Sequence, residues 1–317
     1  MTTRSEGTGI SVQGLTKKFG DFTAVDDLSF EVAPGRVTGF LGPNGAGKTT
    51  TLRMLLGLIR PTAGEALIGG RRYAELPQPM STVGSALEAT GFHPGRSGRN
   101  HLRVLAATHG IPDSRVDELL DLVGIPAAAR KKAGGYSMGM RQRLGLAAAL
   151  LGDPDVLLLD EPANGLDPEG IRWMRGFMRH LAAEQGKTVL VSSHLLGEVE
   201  QTVEDVVIIA NGRLARRGTM DELHGDPAVL VRTSDPGALG HALESAGLSA
   251  ALDQEQGPDA LRVGTGDLRQ VGDIALAAGQ PVHELRPLRT DLERLFLELT
   301  ESPEHRNRNL STGQEAA

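Results

Sequence analysis

The chain contains no cysteine among its 317 residues, which excludes disulfide bonds, thiolate zinc sites and a thiol nucleophile. It also has no apolar run close in length to the roughly 20 residues that a helix needs to span a bilayer. The longest such run, Leu144 to Leu151, is too short and follows two arginines. The opening segment, Met1 to Gly9, is polar and has no apolar core typical of a signal peptide. We therefore expect a soluble protein that needs a separate partner for any work at a membrane.

An excess of positive charge is absent as well. The formal net charge is -7 and the isoelectric point is about 5.7, which argues against a nucleic-acid-binding surface over the whole molecule. The short basic pairs Arg71-Arg72 and Lys131-Lys132 are typical of solvated surface. We expect no nucleic-acid partner. The length leaves room for a large core and for two domains.

What the chain does contain is a complete glycine-rich phosphate loop. An apolar strand, Val37 to Leu41, is predicted before it and a helix, Thr50 to Leu58, after it. The loop and its first helical residue are Gly42, Pro43, Asn44, Gly45, Ala46, Gly47, Lys48, Thr49 and Thr50. Glycines let successive backbone N–H groups turn towards an anion, and the helix N-terminus adds its positive dipole.

Two side chains of this loop carry the chemistry. Lys48 supplies a cation for the β- and γ-phosphates, and the Thr49 hydroxyl can ligate Mg²⁺. The alternative is a glycine-rich turn with an incidental Lys-Thr pair, which does not explain a full match between a strand and a helix. The sequence therefore predicts binding of a nucleoside triphosphate.

A second motif narrows the class of nucleotide-binding protein. The apolar strand Val156 to Leu159 ends in Asp160 and Glu161. Downstream of a phosphate loop, this arrangement predicts that Asp160 holds Mg²⁺ and that Glu161 polarises the attacking water as general base. A further strand, Thr188 to Ser192, leads to His194, which is suited to touch the γ-phosphate. A lone histidine at a strand end is usually structural, but the neighbouring motifs favour a functional one.

The pattern predicts a first domain over residues 8–224. Strands Ile10 to Leu15 and Leu28 to Val32 open it, and helical periodicity runs from about 82 to 151. A smaller α+β domain is predicted over 228–301, followed by a polar, disordered tail, 302–317. Its elements are strand Val229 to Thr233, helix Pro236 to Gly247, strands Leu248 to Leu252 and Leu261 to Val263, helix Leu268 to Gly279 and strand Val282 to Leu285. This β-α-β-β-α-β order is that of ferredoxin-like domains.

A final helix is predicted from Thr290 to Glu301, with a capping box of Thr290 and Glu293. Its apolar stripe is Leu292, Leu295, Phe296 and Leu299. A short helix of this kind is stable only where its stripe is buried.

Two segments complete a set of motifs: Tyr136-Ser137-Met138-Gly139-Met140-Arg141-Gln142-Arg143-Leu144 before the acidic strand end, and Asn164-Gly165-Leu166-Asp167 after it. With these in order, the chain from about Ile10 to Leu223 resembles the nucleotide-binding subunit of an ABC transporter. The resemblance implies an α/β P-loop NTPase cassette with a parallel sheet core, an antiparallel edge sheet and a helical subdomain. It implies an ATPase that uses ATP and Mg²⁺.

The resemblance also implies a head-to-tail dimer, formed by two copies or by one copy and a paralogous ATPase. Ser137 and Gly139 would contact the γ-phosphate bound to the opposite subunit. Phe19 matches the aromatic residue that stacks on adenine, although it could instead fill a gap in the edge sheet.

The sequence departs from the family pattern in three ways. The signature is Tyr-Ser-Met-Gly-Met where LSGGQ is usual, Glu88 stands where the Q-loop glutamine is expected, and only one cassette is present. Glu88 can still ligate Mg²⁺, with added negative charge beside the triphosphate. With the C-terminal domain, these features resemble exporter ATPases for antibiotics and lantibiotics, including bacitracin- and daunorubicin-type systems.

The resemblance thus predicts an ATPase, peripheral on the cytoplasmic face of the membrane, that powers export of a drug, antibiotic or peptide- or lipid-like cargo through a separate permease. Three alternatives stay open: a soluble ABC ATPase in translation or DNA repair, a non-hydrolysing ATP-binding regulatory or immunity protein, and, within the transporter class, import in place of export.

Overall fold

The computed structural model describes residues 7–87, 91–288 and 292–301. Among these, the chain separates into two compact units. The first takes the described residues up to Thr219 together with those from Phe296 onward, and the second is Met220–Leu295. The sequence predicts this boundary between residues 224 and 228, with residues 228–301 in the second domain. The second unit of the structure therefore begins earlier, at Met220, and ends earlier, at Leu295, than the predicted domain.

The strands of the first unit are β1 Ile10–Phe19, β2 Phe22–Val32, β3 Val37–Leu41, β4 Ala63–Ile68, β5 Val83–Ala86, β6 Val156–Asp160, β7 Thr188–Ser193, β8 Asp205–Ala210 and β9 Arg213–Thr219. Its helices are α1 Lys48–Leu55, α2 Pro79–Thr82, α3 Gly98–Ala107, α4 Asp113–Leu122, α5 Met138–Ala149, α6 Pro168–Ala183 and α7 Leu196–Val199. Short 3₁₀ turns lie at Tyr73–Glu75, Pro126–Ala128 and Ala133–Gly135.

A six-stranded sheet with the order β5-β6-β7-β3-β8-β9 positions the candidate site. Its strands pair in parallel from β5 to β8, and only β9 is antiparallel to its neighbour. β3 is buried along its whole length, and so is β7, as expected for parallel strands covered on both faces. The carboxyl ends of β3, β6 and β7 are adjacent, because Leu41 pairs with Ser193 and Asp160 with Ser192. Ligands of open α/β sheets bind at such ends.

A three-stranded antiparallel sheet, with the order β2-β1-β4, shares a core with the parallel sheet. Phe30 of β2 stacks on Phe40 of β3 with 5.2 Å between the ring centroids, and both rings are fully buried. The fold class expected from the sequence, a parallel core with an antiparallel edge sheet and a helical segment, is confirmed. Strands β4 and β9 were not predicted from the sequence, and β1 and β2 are longer than predicted.

The start of the predicted helical region needs correction. Residues 83–86 form strand β5, which pairs with β6, and the first long helix of this region, α3, begins only at Gly98. β5 reads Val-Gly-Ser-Ala, and so short a run of small residues carries no clear periodicity. Gly84 is required there, because a Cβ would lie 2.0 Å from the Ala149 carbonyl oxygen of α5.

The second unit contains α8 Met220–His224, β10 Ala228–Thr233, α9 Pro236–Ser245, β11 Ala250–Leu252, β12 Ala260–Val263, α10 Leu268–Ala277 and β13 Val282–Leu288. The last helix, α11 Leu292–Glu301, begins in this unit and ends in the first. The strands form a four-stranded antiparallel sheet, β11-β12-β10-β13. This confirms the predicted β-α-β-β-α-β order.

A separate apolar core holds the second unit together. Val229, Val231, Leu261 and Val263 of the sheet pack with Leu239, Leu243, Val271 and Ala275 of α9 and α10. Thr290 of the predicted capping box and the tail 302–317 lie outside the described residues.

Candidate functional site

The phosphate loop joins β3 to α1 and depends on glycine at defined points. Gly47 precedes α1 with a φ of 101°, and a Cβ there would lie 2.6 Å from the Ala24 carbonyl oxygen. A Cβ on Gly42 would lie 2.5 Å from the carbonyl oxygen of Ile209. Gly45 has a φ of 82° and is exposed. Side chains are thus excluded where backbone N–H groups must curve around an anion, so the loop fits a phosphate.

The other loop residues differ in exposure. Ala46 and Lys48 are buried, Asn44 is exposed, and Pro43, Thr49 and Thr50 are half-buried.

Lys48 is held inside the loop. Its Nζ donates to the carbonyl oxygens of Gly42 at 2.7 Å and Pro43 at 3.2 Å, and it lies 3.3 Å from Oε1 of Glu161. Burial lowers the pKa of Lys48, and the carboxylates of Glu161 and Asp160 oppose that shift. The lysine predicted to meet the β- and γ-phosphates therefore already contacts the predicted general base.

Two oxygen ligands suited to Mg²⁺ are in contact, one on α1 and one at the end of β6. The Thr49 hydroxyl donates to Oδ2 of Asp160 at 2.7 Å. Hydroxyl and carboxylate oxygens are the ligands Mg²⁺ takes in nucleotide sites, with phosphate oxygens and water completing its octahedron. Within the described ranges, no group of three or more His, Asp or Glu side chains could hold a metal ion. The Thr49–Asp160 pair supplies two oxygen ligands, so it fits a metal whose other ligands come from a nucleotide and water.

Glu161 and His194 are brought together at the ends of β6 and β7. Nδ1 of His194 lies 2.5 Å from Oε2 of Glu161. Glu161 has a φ of 48°, in the left-handed region that a residue with a side chain rarely adopts. Such backbone is maintained only where its surroundings determine it, and it clusters at functional sites. Because Oε1 of Glu161 contacts Lys48 and Oε2 contacts His194, the three side chains form one contact group.

Sequence reasoning missed one member of this site, Ser192. The residue is fully buried, lies opposite Asp160 in the register of β6 and β7, and contacts it. Its Oγ donates to Oδ1 of Asp160 and accepts from the Glu161 backbone N–H at 2.9 Å. The sequence does contain a signal for this residue, because the apolar run before His194 ends in two hydroxyl residues, Ser192 and Ser193.

The signature residues lie elsewhere in the first unit. Ser137 caps the N-terminus of α5, where its Oγ accepts from the Met140 backbone N–H at 3.3 Å. Ser137 is exposed, and Gly139 follows in the first turn of the helix. Among the described residues around Gly139, a Cβ at this position would contact only the Leu166 side chain, at 3.6 Å. Neither residue takes part in the Lys48–Glu161–His194 or Thr49–Asp160 contacts.

Phe19 ends β1 opposite Phe22 at the tip of the hairpin. Its side chain is 48% exposed, and Nζ of Lys17 lies 4.8 Å from the ring centroid. A ring this exposed does not fill a gap in the sheet, so it is open to stacking on a base. Glu88 lies outside the described residues, and its proposed metal contact stays a prediction.

Among the described residues, no helix is both long and apolar enough to span a membrane. Residues 25–164 match the ABC transporter family, and residues 227–293 match a domain of unknown function.

Several curated proteins are similar to this chain. The bacitracin transport ATP-binding protein BcrA of Bacillus licheniformis is 44% identical over 216 residues, covering 68% of this chain and 71% of BcrA. The lantibiotic transport ATP-binding protein SrtF of Streptococcus pyogenes is 33% identical, covering 65% of this chain and 88% of SrtF. The uncharacterized ABC transporter ATP-binding protein YhcH of Bacillus subtilis is 36% identical over 297 residues, covering 92% and 96% of the two chains.

Solved structures agree in fold. An ATP binding subunit of an ABC transporter superposes with a TM-score of 0.61 at 28% identity, covering 68% of this chain and 91% of that one. The ATP-binding cassette MJ0796, a dimer bound to ADP and Pi after hydrolysis, also gives a TM-score of 0.61, at 23% identity, covering 67% and 99%.

Proposed function

This chain belongs to the ABC transporter family of ATP-binding proteins and is an ATPase, and from that premise we propose that it powers export through a separate membrane permease. The proposed cargo is a drug, an antibiotic or a peptide- or lipid-like compound, because BcrA and SrtF are named for bacitracin and lantibiotic transport. The observation that carries the proposal is the contact group of Lys48, Glu161 and His194 beside the Thr49–Asp160 pair.

Each side chain has a separate task in this proposal. Lys48 binds the β- and γ-phosphates, and Glu161 accepts the proton of the attacking water. His194 holds the Glu161 carboxylate through Oε2 and would contact the γ-phosphate of a bound nucleotide. Thr49 and Asp160 would hold Mg²⁺, which when bound neutralises charge on the phosphate oxygens.

A dimer would complete the site. Ser137 and Gly139, at the N-terminus of the 12-residue helix α5, would contact the γ-phosphate held by the opposite subunit. The exposure of Ser137 supports this, since the residue is open to a second copy or a paralogue. Phe19 would stack on the adenine. We place the chain on the cytoplasmic face of the membrane, bound to its permease.

The test is co-expression of the chain with a candidate permease of about six membrane-spanning helices. Cells with the wild-type chain are expected to accumulate less bacitracin or lantibiotic than cells with Glu161→Gln, and to survive higher concentrations. Equal accumulation and survival in both strains would contradict export of this cargo class. Turnover stimulated by RNA or DNA without the permease would point instead to the translation or repair alternative.

The second unit is proposed to serve assembly or regulation, since its core is built without any of the phosphate-binding residues above. Leu243→Ala is expected to destabilise this unit by about 2–5 kcal/mol, because Leu243 is fully buried. ATP affinity should stay at the wild-type value, while dimerisation or coupled transport should weaken. Fluorescent ATP-analogue binding and light scattering measure these quantities. A large loss of ATP affinity in folded Leu243→Ala would contradict this division of labour.

Glu88 is proposed to reach the metal from the Q-loop. Glu88→Gln should shift the Mg²⁺ concentration for half-maximal turnover by about fivefold or less, because the amide keeps an oxygen that can ligate the metal. Transport should change more than basal ATPase activity. Glu184→Gln, at an exposed surface pair with His180, is the control. If the Mg²⁺ titration and transport both match the control, Glu88 has no role at the metal.

A further inference from the structure

Ser192 of β7 contacts both acidic residues at the end of β6, the carboxylate of Asp160 and the backbone N–H of Glu161. It is the penultimate residue of β7 and has no solvent-exposed surface. A serine hydroxyl has one proton to donate and two lone pairs that accept. Here the proton goes to Oδ1 of Asp160, and a lone pair receives the Glu161 backbone N–H at 2.9 Å.

These contacts orient the Asp160 carboxylate. Thr49 donates to Oδ2 at 2.7 Å, and Ser192 donates to Oδ1, so the carboxylate plane is held from both sides. The oxygen facing Thr49 is the one placed to serve a metal. Without the Ser192 hydroxyl, the carboxylate could rotate about its terminal torsion, which is broad for aspartate.

The same hydroxyl acts on Glu161 through its backbone. Glu161 sits at a φ of 48°, and the Ser192 Oγ accepts the N–H of this strained residue. Its side chain then reaches Lys48 through Oε1 and His194 through Oε2. A change in the backbone of Glu161 would move the carboxylate away from both partners.

We propose that Ser192 is a positioning residue for ATP hydrolysis that orients Asp160 and Glu161 together through one buried hydroxyl. This rests on the proposed roles of those two carboxylates. Ser192 itself does not touch the substrate. Its removal should therefore lower kcat and raise the Mg²⁺ requirement, and leave the affinity for ATP without metal close to the wild-type value.

Thr188 provides a matched control on the same strand. It is also buried, its Oγ1 donates to the Thr8 carbonyl oxygen at 2.8 Å and accepts from the Gly35 N–H at 3.0 Å, and it lies at the opposite end of β7. Thr188→Val and Ser192→Ala each remove a buried hydroxyl that donates and accepts. A purely structural role for Ser192 predicts the same outcome for both variants.

The experiment uses the full-length chain with its permease, with ATPase kinetics at several Mg²⁺ concentrations, metal-free ATP-analogue binding and thermal denaturation. Ser192→Ala is expected to lower kcat at least tenfold and to raise the half-saturating Mg²⁺ several-fold, consistent with two lost buried hydrogen bonds. Thr188→Val should lower Tm alone. Ser192→Thr, which keeps the hydroxyl, should recover most of kcat and the wild-type Mg²⁺ dependence.

Wild-type kcat and Mg²⁺ dependence in folded Ser192→Ala would overturn the proposal, as would equal kinetic losses in Thr188→Val. If Ser192→Ala does not fold, Ser192→Cys takes its place, because a thiol of similar size is only a weak donor. Wild-type kinetics in Ser192→Cys would equally overturn it. A wrong role for the carboxylates can be distinguished from a wrong role for Ser192. In the first case, Glu161→Gln would hydrolyse ATP as fast as the wild type.

Discussion

Glu161→Gln is expected to bind ATP as tightly as the wild type and to hydrolyse it about 10²- to 10⁴-fold more slowly, because general base catalysis contributes that factor. The amide keeps the size of the side chain and can still accept a hydrogen bond. It cannot take a proton from water. Its contact with His194 would persist in weaker form, so the local structure should survive.

Single-turnover hydrolysis and fluorescent-analogue binding separate the two effects. Glu184→Gln removes the same charge at an exposed position of the same unit and should leave both quantities unchanged. Equal turnover in Glu161→Gln and the wild type would remove Glu161 from the mechanism, and a loss confined to ATP affinity would give it a binding role instead.

Lys48→Ala should weaken ATP binding itself, by about 10- to 100-fold, the effect of losing one charge-assisted hydrogen bond to phosphate. The substitution also leaves Glu161 without the cation 3.3 Å from its Oε1, which adds repulsion towards the triphosphate. Hydrolysis at saturating ATP should fall as well, since the same ammonium stabilises charge on the γ-phosphate.

Lys187→Ala is the matched control for this prediction. Lys187 is buried to a similar degree, and its Nζ donates to Asp153 and to the Pro154 carbonyl oxygen, both at 2.8 Å. Its loss should lower the free energy of unfolding and leave the Kd for ATP unchanged. Isothermal titration with ATP and thermal denaturation distinguish the two lysines. A similar Kd for Lys48→Ala and the wild type would mean that the backbone of the loop alone binds the phosphates.

The motifs could be predicted from the sequence because each one is contiguous. Gly42 to Thr49 must turn around an anion whatever the rest of the chain does, since the glycine spacing and the following helix are local properties. The same holds for the acidic end of β6. The buried strands β3, β6 and β7 were also predictable, because each is a continuous apolar run. The β-α-β-β-α-β order of the second unit was predictable because its strands and helices alternate in apolar pattern along the chain.

Strands β4, β5 and β9 were not predictable in this way. β5 is only four residues long, and the exposed edge strand β9 carries Arg213, Arg216 and Arg217 in place of an apolar run. Such strands form because a neighbour offers a ladder of backbone partners, which no local pattern reports.

By itself, then, the sequence determined the chemistry of this protein: a phosphate loop, a pair of carboxylates, a histidine and the family to which they belong. Only the tertiary structure decided how these groups meet. Ser192 contacts Asp160 because β6 and β7 are neighbours in a register that pairs these two residues. Lys48 reaches Glu161 although the two are far apart along the chain. The left-handed backbone of Glu161 likewise depends on its surroundings, because a strained conformation persists only where packing and hydrogen bonds from other strands hold it.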